Sequence, residues 1–293
     1  MIYALGQTFL VWKLLRQEKP ANMSFVWNRE TGMLTYTDGN SKPESMPEII
    51  DCWRYHGKET LDARKHLLKN YTEVISADLC EMNLVSNVTG LVPSSPFLNY
   101  PVAKTSELAN IFIPEEDGGI LKKTGVVDVF YNLREEDEAS FCGGEFIIVR
   151  CENKKMWDIL KSKGHIISHN DNYACIYYPY HYMGLETPAS ILLGDFMNIG
   201  THAECRQVSV LAGVAKQDIP KGTQLKVAGH HHSIDGLVPE LLEQNTAKNA
   251  APFYLLNGAV LLKDVKKGEP VTLEHVDLSD LPTFDLYKKG TEL

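Results

Sequence analysis

The segment Asp218-Ile219-Pro220-Lys221-Gly222-Thr223-Gln224-Leu225 recurs as Asp264-Val265-Lys266-Lys267-Gly268-Glu269-Pro270-Val271, 46 residues later (264 minus 218). Both copies read aspartate, β-branched residue, any residue, lysine, glycine, two variable residues, apolar residue. Two Lys-Gly turns at a fixed offset, each next to a β-branched residue, mark a small β module. The run Val208 to Ala215, just before the first copy, is strand-like. The texture of the chain changes here. The expected division is therefore a larger domain over residues 1–204 and a small, mostly β domain over residues 205–293.

The 293-residue length allows one large domain or two smaller ones. A net charge of -9 argues against nucleic-acid binding, which needs a basic face, but leaves room for a local basic pocket. The apolar start, Ile2 to Leu15, lacks the basic flank and small-residue cleavage site of a signal peptide. It is also shorter than the roughly 20 residues that span a bilayer. It reads as a buried strand or helix of a domain that begins elsewhere. No membrane association and a cytoplasmic location are expected. The six cysteines form no Cys-x-x-Cys pair, so they read as reduced thiols rather than a zinc ribbon. Asn22, Asn70 and Asn87 open glycosylation triplets, which carry little meaning without a secretion signal.

Residues 16–50 are polar and turn-rich. Apolar spacing predicts a short helix over Pro47 to His56, and a longer one over Val74 to Val88 ended by Gly90. Strands are expected over Gly125 to Tyr131, Glu145 to Arg150 and Tyr173 to Tyr178. Helices are expected over Lys154 to Lys163 and Pro188 to Met197. Interleaved strands and helices predict an α/β (α+β) class for the larger domain.

No Gly-x-Gly-x-x-Gly, P-loop or Gly-x-Ser-x-Gly elbow occurs. Any nucleotide chemistry therefore needs help from outside this sequence. His230-His231-His232 reads as a solvated loop, because neighbouring side chains on a strand point apart and do not converge on one metal ion. The leading candidate site is Tyr177-Tyr178-Pro179-Tyr180-His181 followed by Leu185-Glu186-Thr187-Pro188. There a β-prone run ends and presents His181 and Glu186 in a turn before a helix, where ligand crevices often lie. Imidazole suits proton transfer near neutral pH. The plainer alternative gives His181 to backbone carbonyls and Thr187 to a helix cap. Glu81, mid-helix beside the apolar stripe, is a pocket carboxylate or, more plainly, a solvated residue. Lys122-Lys123, after Gly118-Gly119, is an anion-binding pair or a surface loop.

Taken in order, Asn87 to Pro93, Glu116 to Leu121, Gly125 to Asp128, Tyr178 to His181, Leu185 to Pro188 and the two closing echoes resemble one family. It is the homoserine-dehydrogenase-like oxidoreductases with a C-terminal SAF (antifreeze-like) domain, to which a deoxyxylulose-phosphate-reductoisomerase-like enzyme belongs. The likeness covers roughly residues 45–279, and residues 1–45 match poorly. It implies an N-terminal Rossmann domain for NAD(P), a central catalytic and dimerising α/β domain, and the SAF module. This sequence resembles only the last two. By that likeness it is the catalytic and SAF portion of an NAD(P)-dependent oxidoreductase. Its substrate would be a small polar or phosphorylated carbonyl or hydroxy compound. His181, Glu186 and Glu81 are the implied catalytic groups. Tyr178, Tyr180, Asp171, Lys122 and Lys123 are the implied substrate contacts. A homo-oligomer and a separate nucleotide-binding subunit are the implied partners.

The sequence departs from the family in three places. Asp-Gly-Thr-Lys before the central helix is replaced by Val74-Ile75-Ser76-Ala77, Arg-Pro-Tyr-His by Tyr178-Pro179-Tyr180-His181, and Gly-Asp-Gly by His169-Asn170-Asp171. These losses remove anion contacts and close backbone approach. They leave a catalytically degenerate ligand-binding or assembly subunit as the alternative.

Overall fold

The computed structural model describes residues 2–7, 24–36, 43–141, 143–179, 183–198, 206–229 and 231–291. From the start of the chain the elements are β1 Ile2–Gln7, β2 Ser24–Asn28, β3 Met33–Tyr36, β4 Glu44–Ser45, α1 Lys58–Leu67, α2 Ser76–Thr89 and β5 Val92–Pro93. Next come β6 Val102–Ala103, α3 Leu108–Ile111, β7 Val126–Asp128, β8 Tyr131–Glu135, β9 Glu145–Arg150, α4 Lys154–Ser162, β10 Ile166–Ile167 and β11 Tyr173–Tyr178. The last are α5 Met183–Met197, β12 Ser209–Ala215, β13 Val227–Ala228, β14 Ser233–Ile234, β15 Leu237–Glu243 and α6 Pro282–Thr291. The class is mixed α/β with small β-rich parts, as expected. The chain divides into two compact units, Met1–Glu73 with Asn99–Ile191, and Val74–Leu98 with Leu192–Leu293. Among the described residues no helix is long and apolar enough to cross a membrane.

The first unit holds two mixed sheets. In one, β10, β11, β9, β1 and β7 lie side by side, with β1 parallel to β7 and antiparallel to β9. In the other, the order is β4-β3-β2-β8-β6, with β8 parallel to both β2 and β6. Aromatic rings fill the core: Phe146 packs at a tilt against Phe112 (5.0 Å between centroids) and edge-to-face against Phe130 (5.5 Å). Helix α4 shows how local sequence sets an element. Asn153 caps it by accepting the Lys155 N–H (3.1 Å), and buried Trp157 anchors it by donating to the Cys151 carbonyl (2.7 Å).

One buried side chain ties this unit together. Arg64, on α1, is fully buried. Its Nε donates to the Cys52 carbonyl (2.8 Å), Nη2 to the Trp53 carbonyl (2.8 Å) and Nη1 to the Val102 carbonyl (3.0 Å). The same fork grips Glu107, Nη1 to Oε2 at 2.7 Å and Nη2 to Oε1 at 3.0 Å. All five guanidinium N–H groups are therefore used, which is what a buried arginine requires.

In the second unit the echoed segments pair with each other. Ile219 and Val265 exchange backbone hydrogen bonds (2.8 and 2.9 Å). Asp264 accepts the Lys221 N–H (2.8 Å), and Asp218 accepts the Lys267 N–H (2.9 Å). The Gly222 N–H reaches the Leu261 carbonyl (2.8 Å), and the Gly268 N–H reaches the Ala215 carbonyl (2.7 Å). Adding 46 to one donor and subtracting 46 from its acceptor gives the other bond, so the repeat is a local two-fold. Gly222 and Gly268 share the same left-handed turn (φ 85° and 84°). Strands β12 and β15 run antiparallel beside it, from Ser209↔Glu243 to Ala215↔Leu237.

Helix α2 belongs to this unit and is stitched to the start of β12. The Asn87 Oδ1 accepts the N–H groups of Val208 (2.7 Å) and Ser209 (2.9 Å), and its Nδ2 donates to the Ser209 carbonyl (3.2 Å). The amide of one glycosylation triplet is thus spent on structure.

Four expectations need correction. The helix over Pro47 to His56 is a 3-10 turn, Pro47–Cys52. The ten-residue α1 that follows was not foreseen, because its buried face is Thr60, Leu61 and Arg64, with little apolar periodicity. Helix α5 begins at Met183, not at Pro188, so Glu186 and Thr187 lie in its first turns rather than in a turn before it. Its proline sits inside the helix instead of at the favoured first position. Glu81 is buried, not solvated, because its side of α2 is covered. His232 is half-buried, with Nδ1 2.9 Å from the Tyr254 hydroxyl, and is no solvated loop residue.

Truncating Arg64 to Ala strands the Glu107 carboxylate, and an unfolding free energy lower by about 3–5 kcal/mol is expected from urea denaturation. Asn87→Ala removes three hydrogen bonds and is expected to cost about 1–3 kcal/mol in the same measurement.

Candidate functional site

Loops of the first unit enclose a cavity of about 320 Å³, within the range of small-molecule sites. Tyr55, His56 and Gly57 form one wall where the chain enters α1. The His56 N–H donates to Thr60 Oγ1 (3.0 Å), which fixes this entry. Asn110, on α3, and Ile113 form the floor. Asn110 joins two walls: its Oδ1 accepts the His169 N–H (2.8 Å) and its carbonyl accepts the Tyr55 hydroxyl (3.4 Å).

Asp117 and Gly118 come from the loop Pro114 to Leu121. This loop is clamped at its base, where the Ile120 and Leu121 N–H groups bond the Ile111 and Ile113 carbonyls (both 3.0 Å). Only glycine fits at 119, since a Cβ there would lie 2.0 Å from the Ile113 carbonyl oxygen. Asp117 accepts a hydrogen bond from the Tyr173 hydroxyl, which joins this loop to β11. His169 and Asn170 complete the lining. Their turn is closed by Ser168, which donates to Asn170 Oδ1 (2.7 Å) and accepts the Tyr173 N–H (3.0 Å).

The cavity therefore gathers two imidazoles, a carboxylate, a phenol and two carboxamides. Burial pushes the Tyr55 phenol above its ordinary value. The Glu107 charge adds to the rise, and the Arg64 charge opposes it. Tyr55 stays a neutral hydroxyl at physiological pH.

The family model for the catalytic domain of oxidoreductase DRL matches residues 24–187, more than half of the chain. The chain belongs to the oxidoreductase DRL family. No curated protein matches it. Every residue lining the cavity falls inside the span matched by the DRL catalytic domain.

The residues singled out by sequence are scattered. Tyr180 and His181 lie outside the described residues. Tyr178 is exposed on β11, and its hydroxyl stands 3.4 Å from Glu186 Oε1. Asp171 adjoins the cavity turn, with a left-handed backbone (φ 58°), and pairs with Lys161. Lys122 and Lys123 are exposed and do not line the cavity. Glu81 lies in the second unit. Burial first, and then its charge, raises the pKa of Cys80; burial first, and then Cys80, Asp78 and Glu81, raises that of Tyr254. His56, Tyr55 and Asn110 carried no sequence signal. Asp117 and His169 sat in quoted segments, the acidic glycine loop and the His169-Asn170-Asp171 turn, without being chosen. Among the described residues no group of three or more His, Cys, Asp or Glu is placed to hold a metal ion.

Cys52, Cys80, Cys151 and Cys175 are free thiols. Burial, and then the Glu81 charge, pushes Cys80 up to about 11. Only the thiolate is alkylated. Peptide mass spectrometry is therefore expected to show slow iodoacetamide labelling of Cys80 at pH 8. The rate should rise about tenfold per pH unit towards 11, whereas an ordinary thiol levels off near 9.

Proposed function

We propose that this DRL domain is the catalytic part of an NAD(P)-dependent oxidoreductase, and that the first-unit cavity holds its substrate. That substrate is a small polar or phosphorylated carbonyl or hydroxy compound. The observation that carries this reading is the coincidence of cavity and family match: a pocket with two imidazoles lies wholly within the DRL span. When a carbonyl and a hydroxyl interconvert, the oxygen gains or loses a proton, and a positioned imidazole serves that step near neutral pH. His169 is the best-held candidate, because Asn110 fixes its backbone and Asp117 faces the same space. His181, with Glu186 in the first turn of α5, remains the second candidate.

The described residues do not fit a dinucleotide cradle. Such a cradle needs a glycine-rich turn between a strand and a helix. The junction from β9 to α4 runs Arg150-Cys151-Glu152-Asn153 without glycine. We place NAD(P) on a separate nucleotide-binding subunit. The echoed β module is read as an SAF domain, and the protein as a cytoplasmic homo-oligomer.

Fluorescence titration of the purified chain with NADPH and NADH is expected to show no tight binding; tight binding by the chain alone would overturn the separate-subunit assignment. Turnover is then measured over a panel of hydroxy and carbonyl compounds, with the nucleotide-binding protein that co-purifies. His169→Ala is expected to lower kcat/KM by about 100-fold or more at unchanged Tm. A loss in His181→Ala instead would move the proton step to that residue. No turnover with any compound would leave the degenerate binding subunit as the reading.

A further inference from the structure

We propose that Tyr173 is the positioning residue of the first-unit cavity: its hydroxyl fixes Asp117, its backbone fixes the turn that carries His169, and one residue of β11 thereby sets the carboxylate against the imidazole. This rests on the cavity being the substrate site and His169 its proton-transfer group. Tyr173 is not part of the lining and acts through two residues that are.

Tyr173 is fully buried on β11, opposite Arg150 of β9. Its N–H donates to Ser168 Oγ (3.0 Å), and its carbonyl accepts the Ser168 N–H (2.9 Å). Ser168 in turn donates to Asn170 Oδ1 (2.7 Å), and its carbonyl accepts the Asp171 N–H (3.1 Å). His169 lies inside this closed turn, with its own N–H held by Asn110 Oδ1 (2.8 Å). The backbone of Tyr173 therefore fixes the point from which the imidazole reaches into the cavity.

The hydroxyl does the other half. Packing alone would be served by phenylalanine, and a buried phenol needs a hydrogen-bond partner. The Tyr173 hydroxyl donates to Asp117, 56 residues away in sequence. Asp117 is the one carboxylate among the described residues that line the cavity. It is exposed, and Gly118 after it is left-handed (φ 93°). An exposed side chain keeps its rotamer freedom unless a fixed group holds it. A donor on a buried, paired strand is such a group. The carboxylate it holds faces the same space as His169 and steadies the positive charge that builds on the imidazole as it takes the substrate's proton. Misplacing such a group by about 1 Å costs about 100-fold in rate.

The test is Tyr173→Phe in the full chain, which removes the hydroxyl and keeps the ring and the backbone bonds. Hydrogen exchange followed by mass spectrometry needs no substrate. The Asp117 and Gly119 N–H groups bond the Pro114 carbonyl (both 3.0 Å), and the Gly118 N–H bonds that of Glu115 (3.1 Å). In the variant the peptide covering these three is expected to exchange about tenfold faster, and the peptide covering 168–173 to keep its wild-type rate. No acceleration in either peptide, or equal acceleration in both, overturns the proposal. With a compound that turns over, Tyr173→Phe is expected to lower kcat about tenfold at unchanged KM. It is expected to add nothing to the loss in Asp117→Ala, because both changes remove the same placed carboxylate. Losses that multiply, or a raised KM with kcat intact, also overturn the proposal. Turnover that depends on His169 without the exchange response sinks the positioning role and keeps the oxidoreductase reading. The exchange response without turnover of any compound sinks that reading and leaves Tyr173 holding the two segments.

Discussion

The fixed point of the first unit is the Arg64–Glu107 pair. Arg64 rises from α1, and Glu107 stands immediately before α3, which carries Asn110. The guanidinium also holds the Cys52 and Trp53 carbonyls, just upstream of Tyr55, His56 and Gly57. A five-donor fork has little freedom once each donor is committed. The distance from the start of α1 to the cavity floor is therefore set by a buried ion pair that never touches the cavity. The cost of burying two charges is offset by complete hydrogen bonding, and Glu107 Oε2 also accepts the Lys104 N–H (2.9 Å). Lys104 in turn lies over the Trp53 ring (4.3 Å).

The second unit reaches order by a different route, duplication. Each aspartate of the repeat caps the turn of the other copy, so neither half is complete alone. That reciprocity explains why both the aspartate and the Lys-Gly turn recur, while the two residues after glycine vary. The Asp218 carboxyl is held below its ordinary value by the Lys267 N–H and by Lys266. The pattern is written in backbone hydrogen bonds, which are insensitive to side-chain identity except where an aspartate or a left-handed glycine is required.

What could be read in the sequence follows from this physics. Strands β9, β11 and β12 and helix α4 were legible because their apolar residues alternate or recur at the period of the element. The Asp…Lys-Gly echo was legible because duplication repeats letters as well as shape. Helix α1 was not, since what it buries is an arginine whose partner lies 43 residues away. The cavity was hidden for the same reason. Tyr55, Asn110, Asp117 and His169 come from four separate segments, and only long-range hydrogen bonds bring them together. Thr187-Pro188 misled on α5 because proline usually opens a helix, and here it lies within one.

Long-range hydrogen bonds of buried polar groups hold the first unit's segments in place. Asp128 is fully buried, and its two oxygens take the Asn99 N–H (2.8 Å), the Val129 N–H (2.9 Å) and the Asn99 carboxamide (2.5 Å). The conspicuous Gly125-Val126-Val127-Asp128 motif thus folds a loop rather than meeting a ligand. Arg64 is equally spent. The cavity is built from the same kind of bond: Asn110 gives its Oδ1 to the His169 N–H (2.8 Å) and its carbonyl to the Tyr55 hydroxyl (3.4 Å). A buried polar group that joins two segments is favourable only while both partners of the bond are in place. Arg64 and Asn110 therefore act alike: each is buried, polar and spent on joining distant segments, Arg64 away from the cavity and Asn110 in its lining.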